Sequence, residues 1–251
     1  ALWPHGLWVV RRMADGSDDP LGAAALAALA TWLWFARDGL RATPRLPWLG
    51  TAGALTAAAT AALFAAPPLV AAGLATLALA AHLAAWLPDR SPRLALAGLM
   101  LLALPLVASL QFYAGYPLRV FTAQFSAWLL QAAGIAAERS GASMVVAGQL
   151  VIVDAPCSGV QMAWLAYFAA CTVAAFTSRR DGALARRLPL VGLTVLAGNV
   201  VRNTLLVALE ARPEGLTSAW HEAIGLGMLL AVVVLVVRIV APRRPATGVA
   251  A

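Results

Sequence analysis

"LPLVGLTVLAGNVVRNTLLVALE", residues 188–210, contains only two charged residues, Arg202 and the final Glu210. A helix of this length reaches ~35 Å at 1.5 Å per residue, enough to cross a hydrocarbon core of ~30 Å. The run therefore predicts a transmembrane helix. Arg202 lies about two thirds of the way along this helix, where a charge costs at least ~2.5–3.5 kcal/mol, so we expect it to face the protein interior or a wet cavity.

The rest of the chain has the same apolar character. Its 251 residues are 62% hydrophobic and 12% charged, with a mean hydropathy of +0.81, whereas soluble domains keep about a quarter of their residues charged. These values predict an all-α polytopic protein in the lipid bilayer, with a single integral-membrane domain over residues 1–251. About seven spans are expected, at 21–37, 46–66, 68–87, 93–110, 157–177, 188–210 and 221–240.

The distribution of arginine predicts the orientation. All 18 basic residues are arginines, and 12 of them lie in the connections 37–45, 88–93 and 178–187 or in the tail from 238. Alternating spans bring these four segments to one side, which the positive-inside rule makes cytoplasmic. Because the positive charge lies in loops between spans, no nucleic acid partner is expected. The lysine-free, alanine-rich composition is typical of a GC-rich bacterial genome, so we expect the inner membrane of a bacterium.

Residues 111–156 form an external segment in this topology. Its stretch 117–134, "PLRVFTAQFSAWLLQAAG", has helical spacing of apolar residues and predicts either a helix in the membrane interface or one packed on the bundle. The stretch 143–153, "SMVVAGQLVIV", predicts a short β-hairpin that leads to Asp154 and Cys157.

Cys157 lies in "APCSGVQ", residues 155–161, at the predicted start of a span. With Asp154 as N-cap, Cys157 would occupy the first helical turn, where free N–H groups and the helix dipole stabilise a thiolate. The same N–H groups could bind an oxyanion, and Gly159 would let a substrate backbone approach. The alternative is a small buried apolar cysteine.

The remaining cysteine and the histidines limit the chemistry. Cys171 follows Cys157 by 14 residues of predicted helix, ~21 Å, which excludes an intrachain disulfide. Two cysteines and three histidines also make a poor zinc site, so no metal and no cofactor are expected. A nucleophilic thiol needs a base. We expect His82 on the cytoplasmic side and His5 in a mobile terminus, which leaves His221, at the outer end of the last span.

Arg202 is the third polar group that requires an explanation. It could hold a tetrahedral oxyanion, position a substrate carbonyl, or form a structural ion pair inside the bundle. Asn199 and Asn203 flank it at helical spacing.

Three motifs in this order resemble those of the exosortase/archaeosortase family: "APCSGVQ" (155–161), "GNVVRN" (198–203) and "WHEAIG" (220–225). Members are polytopic membrane transpeptidases that process exported proteins with a C-terminal motif, a transmembrane helix and a basic cluster. The resemblance implies Cys157 as nucleophile, Arg202 as the essential arginine and His221 as acid/base. Asp154, Ser158, Gly159, Asn199 and Asn203 are the expected supporting residues.

The sequence thus predicts a membrane-embedded cysteine protease or transpeptidase with an external active site, acting through a thioester at Cys157. Water or an amine acceptor, whose identity stays open, would resolve the thioester. One alternative is a transporter or assembly subunit in which Arg202 binds an anion and Cys157 is inert. Another is a membrane acyltransferase that uses Cys157 for lipid chemistry.

Overall fold

The computed structural model describes residues 2–14, 16, 21–146, 148–152, 158–210 and 217–242. These residues are mostly helical, with ten α-helices, one short 3₁₀ helix at Arg37–Gly39 and three short strands. The α-helices are α1 Trp3–Ala14, α2 Leu21–Ala36, α3 Leu46–Ala65, α4 Pro68–Trp86, α5 Arg93–Leu102, α6 Val107–Ala132, α7 Val160–Phe176, α8 Asp181–Ala185, α9 Leu188–Glu210 and α10 Ser218–Val240.

Four segments of the described chain are long and apolar enough to cross a membrane: α3, α4, α8 with α9, and α10. A fifth span results if the bent pair α5 and α6 is counted as one. The protein is therefore a polytopic helical membrane protein, but the predicted number of seven spans is not confirmed. Helices α2 and α7 lie where two of the predicted spans were placed, and they have 16 and 17 residues. A single domain over residues 1–251 stays a prediction.

Three arginine-rich connections meet at one end of the bundle. Arg45, before α3, forms an ion pair with Asp89, after α4. The backbone N–H of Leu94 donates to Asp181 Oδ1 over 2.9 Å, which joins the start of α5 to α8. The loops 37–45, 88–93 and 178–187 therefore lie on the same side, as the arginine distribution requires. We call this end of the bundle the arginine end.

The predicted span 93–110 is wrong in its bounds. Helix α5 stops at Leu102, and α6 starts at Val107 at an angle of 91° to it. Pro105 explains the break, because proline has no N–H to donate and disfavours helical geometry in the residue before it. The helix predicted from residue 117 consequently begins ten residues earlier and continues through Pro117.

After α6 the chain forms a three-stranded antiparallel sheet of β1 Ala137–Ser140, β2 Ser143–Val146 and β3 Gln149–Ile152. Strands β2 and β3 form a hairpin in which Val146 pairs with Gln149. Strand β1 was not predicted, because "AERS" has no alternation of apolar residues. The Gln131 Nε2 group donates to the Ala137 carbonyl over 2.6 Å and fixes this strand to the end of α6.

The core lies between α5, α7, α9 and α10, which pack on one another. Small residues allow the close approach of these helices. A Cβ atom at Gly98 of α5 would lie 2.6 Å from Cys171 Sγ of α7, so any larger residue at Gly98 would displace the thiol. Cys171 is buried in this core and is a free thiol.

The N-terminal helix differs from the prediction of a mobile terminus. Helix α1 packs against α4, and His5 is only 4% exposed. The apolar positions of "WPHGLWVV" at helical spacing account for this packing, and they carry His5 into the interior.

Candidate active site

A cavity of about 490 Å³ opens between α7, α9 and α10, at the end of the bundle away from the arginine end. It brings together two of the predicted site residues, Arg202 and His221, from different helices. Its lining consists of Gln161, Met162 and Leu165 from the first turns of α7, Arg202 from α9, and His221, Glu222, Gly225, Leu226 and Leu229 from α10.

Arg202 is half-buried and enters this cavity beside the backbone of α10. A Cβ atom at Gly225 would lie 3.5 Å from both Nε and Nη2 of the guanidinium group. The absence of a side chain at Gly225 thus leaves space around the guanidinium. A charge within a membrane is expected to face either the protein interior or a wet cavity, and Arg202 lines a cavity.

His221 lies in the first turn of α10, with its backbone N–H donating to the Thr217 carbonyl over 3.1 Å. Its side chain is exposed toward the same cavity. An imidazole in this position is open to a substrate and to water, as proton transfer requires. Glu222 also lines the cavity and places a carboxylate next to His221 in the chain.

The predicted supporting residues Asn199 and Asn203 lie on another face of α9, against α6. The Nδ2 group of Asn199 donates to Thr122 Oγ1 over 3.0 Å, and that of Asn203 donates to Ser126 Oγ over 3.0 Å. Ser126 Oγ in turn donates to the Val200 carbonyl over 3.3 Å. All four polar side chains are buried. Both asparagines therefore join α9 to α6, and neither lines the cavity of Arg202 and His221.

Ser158 and Gly159 form the entrance to α7. Ser158 is buried, and its hydroxyl donates to Gln111 Oε1 of α6 over 2.7 Å. Gly159 is the N-cap of α7 with φ +83°, a left-handed conformation that favours glycine. A Cβ atom there would lie 2.9 Å from Asn199 Cγ. Both the backbone conformation and the available space thus require glycine.

The start of α7 corrects one prediction. The α-helix begins at Val160 with Gly159 as its N-cap, three residues after the predicted start at 157, and an N-cap at Asp154 stays a prediction. Cys157 and Asp154 themselves lie outside the described residues. Cys157 precedes Ser158 in the chain, and Cys171 lies in the core of α7, away from the cavity lining.

The sequence of the chain matches a known protein family. A family model of the transmembrane exosortases matches residues 13–238 of the chain. The chain belongs to the transmembrane exosortase family. It is accordingly a multi-pass membrane protein with an exosortase-type function. No curated protein and no solved structure matches the chain.

Sequence reasoning missed Gln111, Thr122 and Ser126 in this exosortase. Thr122 and Ser126 are spaced four residues apart on α6, as Asn199 and Asn203 are on α9, and two such polar pairs on apolar helices are a usable signal of helix contact. Gln111 had no comparable signal. Among the residues that the structure describes, no three His, Cys, Asp or Glu side chains are grouped as metal ligands would be. A reaction without metal or cofactor stays a prediction.

Proposed function

We propose that the protein is a membrane cysteine transpeptidase with Cys157 as nucleophile, His221 as general acid and base, and Arg202 as the cationic group of the site. One observation supports the proposal best. Arg202 and His221 come from separate helices and line one cavity, and the first turns of α7 line it too. Cys157 is three residues before the first residue of α7 along the chain. A thiol, an imidazole and a guanidinium are a sufficient set for acyl transfer.

The reaction begins with attack of the Cys157 thiolate on a peptide carbonyl carbon. A carbon–sulfur bond forms and the carbonyl electron pair moves to oxygen, giving a tetrahedral oxyanion. Arg202 either stabilises this oxyanion or orients the thiol. Collapse of the intermediate breaks the carbon–nitrogen bond, and protonated His221 gives its proton to the leaving amine. The N-terminal part of the substrate remains as a thioester on Cys157.

The second half of the reaction releases the thioester. Neutral His221 accepts a proton from an incoming amine or water, which attacks the thioester carbonyl and displaces the Cys157 thiolate. An amine gives transfer and water gives hydrolysis. The substrates proposed are exported proteins with a C-terminal motif, a transmembrane helix and a basic cluster, because the motifs resemble those of enzymes that process such proteins.

We further propose that the cavity faces the exterior of a bacterial inner membrane. The cavity lies away from the arginine end, where the loops 37–45, 88–93 and 178–187 come together. The positive-inside rule assigns such an end to the cytoplasm. Arginines of a substrate's basic cluster would then lie on the side opposite the reaction.

The two cysteines allow a matched test of the nucleophile. Cys157→Ala should abolish processing of a tagged substrate in membranes, whereas Cys171→Ala should retain it at the same protein level. A transporter or assembly subunit with an inert thiol would instead keep its function in Cys157→Ala. Equal loss in both variants would indicate packing, since Cys171 is in the core.

The Cys171→Ala variant also tests the orientation, because it leaves Cys157 as the only thiol. A membrane-impermeant maleimide added to spheroplasts should label this variant without lysis. Labelling that occurs only after lysis would place Cys157 in the cytoplasm and exclude surface processing.

A further inference from the structure

A second cavity, of about 290 Å³, lies between α1, α2, α4 and α5 and is separate from the candidate active site. Leu29 of α2, Ala72 and Ala75 of α4 and Met100 of α5 form part of its wall, and α1 covers one side. These residues come from the first half of α4 and the last turns of α5. The cavity therefore lies toward the end of the bundle opposite the arginine end.

The rim of this cavity is apolar and faces outward. Val10 of α1, Leu26 of α2 and Leu79 of α4 all line it, and they are 63%, 49% and 49% exposed. Helix α4 is one of the segments long enough to cross the membrane. An apolar rim beside a membrane-spanning helix opens toward acyl chains, because water would have no polar group to contact there.

One polar side chain interrupts the apolar lining. His5 lines the cavity, is 4% exposed, and its Nε2 atom has no hydrogen-bond partner in the part of the chain that the structure describes. The other polar residue of the lining, Thr76, is already satisfied, since its hydroxyl donates to the Ala72 carbonyl over 2.9 Å. A buried polar group without a partner is unfavourable. A ligand with one polar atom near an apolar chain would relieve this cost.

We propose that this cavity binds one phospholipid of the outer leaflet, with an acyl chain inside it and an oxygen of the glycerol-ester region as the hydrogen-bond acceptor of His5. The apolar rim admits the chain, the apolar wall surrounds it, and His5 selects a ligand with an acceptor close to the chain. The site is independent of the transpeptidase reaction, so it can be tested without a substrate.

The test uses the full-length protein, delipidated in detergent and titrated with 1-palmitoyl-2-oleoyl-phosphatidylglycerol. Bound lipid is counted by native mass spectrometry, and thermal unfolding is followed in parallel. A ligand that binds only the folded state raises the unfolding temperature with its concentration. Wild type should retain one lipid molecule after the loosely bound lipids have dissociated.

Two leucines of similar exposure provide a matched pair. Leu79→Trp adds volume at the cavity and should lower the retained lipid at least tenfold. Leu63→Trp adds the same volume on α3, outside the cavity, and should bind lipid as wild type does; Leu63 is 41% exposed. Equal retention of lipid by wild type and Leu79→Trp would overturn the proposal.

His5→Leu separates the polar contact from packing. It should weaken lipid binding by about fivefold, the effect of one ordinary hydrogen bond. It should also raise the unfolding temperature of the lipid-free protein, because an unsatisfied buried group is removed. A purely structural role for His5 predicts the opposite change in unfolding temperature and unaltered lipid affinity, and either result would contradict the proposal.

Discussion

Helix α9 carries polar residues on two faces, and their surroundings differ. On the face toward α6, Asn199 and Asn203 are buried and donate to hydroxyl groups over 3.0 Å. On the face toward α10, Arg202 is half-buried and lines an open cavity with His221. Neutral amides paired inside a bundle hold helices together, whereas a charge kept at a cavity has a cost that packing alone does not explain. Burial and exposure to a cavity thus distinguish the two roles better than sequence proximity does.

The largest effect is expected at the cavity face. His221→Ala should reduce processing by ~10²–10⁴-fold, the usual loss on removing a general acid or base. Because the leaving amine would go unprotonated, uncleaved substrate should accumulate without an adduct on Cys157. A gel of tagged substrate, with and without hydroxylamine, measures both. A hydroxylamine-sensitive thioester in His221→Ala would instead make His221 mainly the base for the acceptor, and processing at the wild-type rate would remove it from the mechanism.

Substitutions of Arg202 should cause the next largest loss of processing. Arg202→Ala should lower processing by ~10²–10³-fold if the guanidinium stabilises an oxyanion. Arg202→Lys should be almost as poor, since lysine lacks the planar, bidentate group. Rates are compared in membranes at equal protein levels. A fully active lysine variant would reduce the requirement at this position to positive charge.

A smaller effect is expected from the residue beside the guanidinium. Gly225→Val places methyl groups where a Cβ is already 3.5 Å from Arg202 Nε, so the guanidinium should shift and processing should fall by about tenfold. Gly227 is the control, because a Cβ there meets nothing within 4 Å and Gly227→Val should be close to wild type. Similar losses in both variants would indicate damage to α10 itself.

Substitutions on the face of α9 that contacts α6 should lower the stability of the protein and leave its processing activity almost unchanged. A double-mutant cycle of Asn203→Ala and Ser126→Ala should give a coupling of ~0.6–2 kcal/mol in the free energy of unfolding, typical of hydrogen bonds between membrane helices. Processing per folded molecule should stay within about twofold of wild type. A loss comparable to that of Arg202→Ala would mean that both faces of α9 serve the reaction.

Some of these features could be predicted from the sequence, and others could not, for physical reasons. The bounds of α9 match the predicted span 188–210, because a long apolar run admits one interpretation in a bilayer. The run 93–110 looked equally continuous, yet Pro105 interrupts it. The span predicted from 157 becomes an α-helix only at Val160, where the left-handed Gly159 is the N-cap.

Tertiary contacts explain the remaining differences. Arg202 and His221 were predicted as a pair from their motifs, and the structure places both at one cavity. The sequence did not show that Asn199 and Asn203 face α6, because polar residues on one helix do not reveal which neighbour they contact. Their supporting role at the site stays a prediction. Their hydroxyl partners Thr122 and Ser126 are 77 residues away in each case.

The short helix α5 has a consequence for how the chain assembles. Its ten residues rise ~15 Å, about half of the hydrocarbon thickness, so α5 cannot cross the bilayer alone. Its last carbonyl, that of Leu102, accepts a hydrogen bond from the Trp164 indole of α7 over 3.1 Å, and Gly98 lies against Cys171 of the same helix. A reporter fused after Ala132, before α7 exists, should therefore lack a fixed side of the membrane, and a single fixed side would contradict this order. During synthesis, α5 can pack on α2 and α4 as soon as it is made, but its contacts with α7 form only when α7 has left the ribosome, which makes the pairing of α5 and α7 a later step of biogenesis.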